Sequence, residues 1–182
     1  MRVLSCLLSA LFVLLASAVI GQNKVTGEFL IQEGKVGKVE INMPVDKLNN
    51  IYTKDQIEIV SVKEEGTEYS LYKIYTDDKK KAAFEIETLC VDICMVSRIT
   101  LYSAKFRTAK DIGVGSTVAE LKKHYNITSV IGSESGGIII YVEEFSQVGF
   151  VVSVPNVTSF PGQKLEKTVV PETTIVESIY MF

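Results

Sequence analysis

The chain has no tryptophan and a single histidine among its 182 residues. That histidine, His124, has no partner signature and reads as a surface residue, so a histidine-centred catalytic set or zinc site has nothing to build on. Cysteine is scarce at three, and one of these, Cys6, lies in the N-terminal apolar run. Charge of one sign is also lacking: 19 basic residues oppose 22 acidic ones, for a net charge of −3. The largest basic cluster is Lys79-Lys80-Lys81 in a charged turn at 77–81, which argues against a nucleic-acid partner. No serine sits in a G-x-S-x-G elbow. Gly113-Val114-Gly115-Ser116-Thr117 lacks the lysine and spacing of a phosphate loop. No alternating Asp/Asn loop for calcium occurs. Adjacent carboxylates such as Glu64-Glu65 and Glu143-Glu144 point to opposite faces of a strand, so they make poor acid/base pairs. With no catalytic residue set, no metal site and no cofactor motif, the chain is expected not to be an enzyme.

One long hydrophobic run is present, at the N-terminus. Arg2 precedes an apolar stretch at 4–15, and Ala16-Ser17-Ala18 and Gly21 offer small residues for cleavage. Residues 1–21 are therefore expected to be a signal peptide. Its removal leaves 161 residues with net charge −4, and no later stretch approaches membrane-spanning length. The expected location is exported, periplasmic or extracellular. Asn126-Ile127-Thr128 and Asn156-Val157-Thr158 fit glycosylation sequons, which matter only in a eukaryotic secretory pathway.

The most structured stretch is 112–125. Gly113 and Gly115 suit a sharp turn. Thr117 and Glu120 have capping-box spacing. Val118, Leu121 and Tyr125 then recur on one helical face. A weaker copy lies at 39–52, where Pro44 occupies a first-turn position and Val45, Leu48 and Tyr52 repeat the apolar triplet. This pattern predicts an α+β fold of two tandem copies, each a helix followed by about four antiparallel strands, with the helices on one sheet face. The expected organisation is an N-terminal segment at 22–38, a first α/β unit at 39–110 and a second at 111–182. Predicted helices cover 44–53 and 117–125. Predicted strands cover 57–62, 69–75, 82–87 and 95–102 in the first unit, and 128–131, 138–142, 147–154 and 173–181 in the second. A long loop at 155–171 holds three of the four prolines.

Cys90 and Cys94 are the two cysteines left after the leader. Along a straight strand, residues four apart sit about 13 Å from each other, beyond disulfide reach. The favoured reading is a disulfide across a turn at Val91-Asp92-Ile93. Two free thiols are the alternative, and a metal site lacks further obvious ligands.

The segment 99–125, with its "IGVGST…LK…Y" turn and helix, resembles uncharacterised exported proteins of Bacteroidetes-type bacteria, which implies an envelope or secreted location and no known activity. More distantly, tandem "G-x-[ST]-x-x-x-[LV]" turn-helices followed by antiparallel strands are similar to the β-lactamase-inhibitor-protein and SmpA/OmlA outer-membrane-assembly folds. That similarity implies a binding module. The chain lacks the lipoprotein cysteine of the second group and has Asn42-Met43-Pro44 in place of the first glycine turn.

The expected function is thus an exported, non-catalytic binding module of unknown ligand with a protein partner, the alternative being a structural or assembly component of the bacterial envelope. In 98–102, Ile99 and Leu101 form the apolar face, leaving Arg98, Thr100 and Tyr102 outward. Lys73 places Tyr69 and Tyr75 outward with it. Tyrosine and arginine are enriched in binding hot spots, so Tyr69, Tyr75, Arg98 and Tyr102 are the candidate binding residues, with the 155–171 loop second.

Overall fold

The structure is a computed structural model that describes residues 25, 27–64, 66–76, 81–134 and 136–182. The expected signal peptide at 1–21 and most of the charged turn at 77–81 lie outside the described residues. No helix among the described residues is long and apolar enough to cross a membrane.

The fold is mostly β, which corrects the expectation of tandem α+β units. The twelve strands among the described residues are β1 (Leu30–Gln32), β2 (Lys35–Val36), β3 (Val39–Glu40), β4 (Ile57–Glu64), β5 (Thr67–Ile74), β6 (Phe84–Cys90), β7 (Cys94–Leu101), β8 (Arg107–Thr108), β9 (Ile127–Gly132), β10 (Ile138–Val142), β11 (Phe145–Val152) and β12 (Val176–Met181). The one α-helix among the described residues, α1 (Val118–His124), precedes β9. Four strands form a small sheet in the order β3-β2-β1-β8. The other eight form one sheet in the order β4-β5-β6-β7-β12-β11-β10-β9. Both halves of the chain thus feed a single antiparallel sheet, joined where Ile179 faces Leu101 and Tyr180 faces Thr100.

Two physical reasons account for the correction. The helix expected at 44–53 is only a 3-10 segment, Val45–Asn50, with Pro44 at its cap position and no side-chain capping bond. Valine and a terminal Asn49-Asn50 pair are weak helix formers, and no side chain caps its start. The N-terminal segment at 22–38, whose residues 28–32 read from sequence as a possible short strand, supplies β1 and β2 outside either expected unit. These pair through Ile31 with Val36, and β1 also runs parallel to β8.

α1 forms as its sequence dictates. The Glu120 amide donates to Thr117 Oγ1 at 3.2 Å, and the Thr117 amide donates to Glu120 Oε2 at 2.7 Å, closing the capping box. The turn before it needs both glycines. Gly115 has φ +86°, and a Cβ on Gly113 would lie 2.3 Å from the Phe106 carbonyl oxygen.

One hydrophobic core fills the space between the inner face of the large sheet and the elements packed on it. Ile74, Phe84, Ile86, Ile99, Leu101, Phe150 and Ile179 from the large sheet are fully buried. Val118 and Leu121 of α1, Leu48 of the 3-10 segment and Ile31 of the small sheet meet them in the same cluster. Phe106 bridges the sheets, edge-on to Phe84 at 5.5 Å and to Phe29 at 5.5 Å. Cys90 and Cys94 are joined by a disulfide at the β6–β7 hairpin tip, with Cα atoms 4.0 Å apart.

Candidate functional site

Because side chains alternate along each strand, the buried residues fix which ones point away from the core. In β7, Ile99 and Leu101 are buried, so Arg98, Thr100 and the following Tyr102 take the outer face. Pairing carries this phase outward: Thr100 faces Glu85, Arg98 faces Glu87, and Glu85 faces Lys73. Lys73 shares its side of β5 with Tyr69 and Tyr75. The four sequence-predicted residues therefore lie on one sheet face, with Arg98 exposed and Tyr69, Tyr75 and Tyr102 half-buried.

That face carries a ladder of polar pairs. Tyr75 donates its hydroxyl to Glu58 at 2.5 Å, and Tyr102 donates to Glu85 at 2.9 Å. Lys73 approaches Glu85 to 3.9 Å, and Arg98 approaches Glu87 to 3.4 Å. Burial and then the Glu85 bond push the Tyr102 phenol well above its usual range. The bond to Glu58 raises Tyr75. Both phenols are thus donors at neutral pH.

Beside this ladder the same face dips into a cleft of about 550 Å3. Thr100, Ser178 and Tyr180 line it from β7 and β12, and Ile139 and Val151 line it from β10 and β11. Its far wall is the end of β9 together with Pro161 and Gly162. Tyr180 stacks on Phe182 at 5.8 Å and 19°, and its hydroxyl bonds that of Tyr141. Burial first, then that bond, raises the Tyr180 phenol.

The wall has a definite cause. Gly132 donates to the Gln163 carbonyl at 2.9 Å, Gly162 donates to the Gly132 carbonyl at 3.0 Å, and Leu165 donates to the Val130 carbonyl at 2.8 Å. The 155–171 loop, read from sequence as structureless, therefore runs in part as a cover for the β9 edge, which would otherwise expose unpaired backbone groups.

The cleft itself was missed at the sequence level. Its signal was the alternation Ser178-Tyr180-Phe182 about buried Ile179 and Met181, which puts those three side chains on the same side as Tyr102. The pairing of the two halves, which sets Tyr180 against Thr100, was not visible in either half alone. The 162–165 wall depends on a loop finding an edge some 30 residues away in sequence.

Among the described residues no group of three or more histidine, cysteine, aspartate or glutamate side chains could hold a metal ion. His124 is exposed at the end of α1.

An eight-stranded antiparallel sheet, covered on one face and, among the described residues, open on the other, is the class of architecture this chain adopts. No protein-family model matches the chain, and no curated protein matches it. Among solved structures it is similar to the uncharacterized protein YfeY from Escherichia coli, with a TM-score of 0.62 and 12% sequence identity, over 84% of this chain and 98% of that one. At that identity the likeness is one of fold.

Proposed function

We propose that the chain is an exported, non-catalytic binding module whose outer sheet face meets a protein partner. The observation that carries this reading is the common face of Tyr69, Tyr75, Arg98 and Tyr102, continuous with the cleft beside β12. Tyrosine offers a large contact area with few rotatable bonds to freeze, and arginine offers a planar guanidinium with several donors; both recur at interface centres. The carboxylates of the face are engaged by phenols and cations of the same face, an arrangement that suits recognition more than proton transfer. Export follows from the predicted leader at 1–21.

The test is a crosslinked pull-down from intact cells with the unaltered protein and the Arg98→Glu and Tyr102→Ala variants. A protein captured by the first and lost with both variants is the expected result. Equal capture by all three removes the outer face from the reading. The envelope-assembly alternative differs in one observable: the chain would then co-sediment with membranes after salt washing.

A further inference from the structure

Among the described residues the large sheet ends in two edge strands, β4 and β9, and the chain treats them differently. At β9 its own loop supplies a partner. Lys164 pairs antiparallel with Ile131, and Leu165 donates its amide to the Val130 carbonyl. No described residue does the same for β4.

One bond sets the backbone phase of β4. Tyr75 donates its amide to the Gln56 carbonyl at 2.9 Å, one step before the Ile57–Ile74 pair. In an antiparallel ladder such bonds recur at every second residue. Glu58, Val60 and Val62 therefore turn their amides and carbonyls towards β5, and Ile57, Ile59, Ser61 and Lys63 turn theirs outward. Ile74, opposite Ile57, has its carbonyl bonded to the Ala83 amide, so it faces away from β4 as this phase requires. The Ile57 amide is held by the Lys54 carbonyl. The amides of Ile59, Ser61 and Lys63 and the carbonyls of Ile57, Ile59 and Ser61 have no backbone partner among the described residues.

These groups make a row of donors and acceptors that repeats at roughly 7 Å, two residues of strand rise. An extended polypeptide carries the same repeat in its own backbone, and a helix does not. The devices that usually blunt an edge are largely missing. The eight pairs of β4 with β5 run without a bulge, and β4 holds no proline. Lys63, the lysine in the core-facing phase, stands at the hairpin end. Ile59, in that same phase, is 61% exposed, and Val60 and Val62 are half-buried on the opposite side.

We propose that β4 accepts an extended segment of a protein partner, which joins the sheet by strand addition. Its backbone completes the outward row. Its apolar side chains lie beside Ile59 on one side and beside Val60 and Val62 on the other. The edge is a second surface, separate from the outer face, and neither reading needs the other.

Amide exchange of the purified protein is the first arm of the test. Ile59, Ser61 and Lys63 should exchange fast at every concentration while Val60 and Val62 are protected. Outward amides protected at all concentrations mean that the chain covers its own edge, and protection that grows with concentration means that a second copy does; either overturns the inference. Random linear peptides displayed on phage are the probe for the second arm. Selected binders should carry apolar residues at two-residue spacing and should protect Ile59, Ser61 and Lys63. Methylating the peptide's backbone nitrogens at alternate positions should abolish binding in one phase and spare it in the other.

Ser61→Pro removes an outward amide and no bond to β5, a position where an edge strand tolerates proline. It should weaken peptide binding at least about tenfold, because the opposing carbonyl is left unpaired. Ser61→Ala loses the hydroxyl bond to Glu68 but keeps the amide, and should bind like the unaltered protein. The methylation series needs no variant, so it stands even if Ser61→Pro disturbs the strand. No selected peptide, binding indifferent to Ser61→Pro in a folded variant, or methylation that acts alike in both phases overturns the inference. Peptide binding lost with Arg98→Glu but kept with Ser61→Pro also overturns it, and assigns the peptide to the outer face.

Discussion

The Tyr102 hydroxyl donates to Glu85 at 2.9 Å across the β6–β7 pair, on the face that the core elements leave open. The bond ties the end of β7 to a carboxylate that Lys73 also approaches, so three strands share one polar contact. Tyr102→Phe keeps the ring and deletes only the donor. The expected cost is about 1 kcal/mol of stability for a half-buried bond, read as a lower denaturant midpoint with an unchanged slope. An unchanged midpoint would mean that solvent replaces the bond without loss.

Alkaline pH should destabilise the fold through its buried phenols. Burial, with a smaller contribution from the Glu28 carboxylate, pushes Tyr52 up to about 12, and Tyr102 and Tyr180 are raised as well. A folded pKa above the unfolded one means that the fold favours the neutral phenol. The associated stability is complete below the unfolded value of about 10 and is lost as pH rises through about 12. The thermal midpoint should therefore fall across that window. Phenolate absorbance should show these tyrosines ionising late, together with unfolding. Full ionisation near pH 10 in a still-folded protein would contradict the burial.

Thr117→Ala should cost about 1 kcal/mol by removing the hydroxyl arm of the α1 capping box, while the amide of residue 117 still donates to Glu120. The Thr117 amide and then its hydroxyl hold the Glu120 carboxyl below its usual range. This contribution is present above the unfolded carboxyl value and fades as pH falls through the folded one. The difference in midpoint between the unaltered protein and the variant should accordingly shrink in acid. A constant difference down to strongly acidic pH would remove Glu120 from the account.

How much of this was legible in sequence follows the range of the interaction responsible. The Thr117–Glu120 box, the apolar triplet Val118, Leu121 and Tyr125, and the alternation in β5 through β7 are local, and each produced the element it predicts. The expected helix at 44–53 shared the apolar spacing of α1 but had no cap, and it closed only as a 3-10 turn. β1 to β3 are two or three residues long, too short to alternate, and exist through tight turns and pairing with β8. The outward phase of Arg98 and Tyr102 could be read from Ile99 and Leu101. The cleft could not, because it needs the β7–β12 junction and the 162–165 edge cover, both contacts between distant parts of the chain.

Gly132→Ala tests that cover. A Cβ at this position would lie 2.2 Å from the Phe160 carbonyl oxygen and 2.9 Å from Ser159, so the loop must move off the β9 edge. The expected result is a stability loss of about 1–3 kcal/mol from overpacking. Faster amide exchange should appear at Gly162 and Leu165, whose amides donate to Gly132 and Val130, while α1 is little changed. Uniformly faster exchange across the sheet would show instead that the loop is integral to the core.

The outer face as an interaction surface is the central claim, and photocrosslinking from single positions tests it most directly. A benzophenone side chain placed at exposed Arg98, on the outer face, is compared in intact cells with one placed at exposed Lys123 on α1, on the covered side. The account predicts a discrete protein adduct from position 98 and none from position 123. No adduct at 98, or the same adducts from both positions, would contradict it.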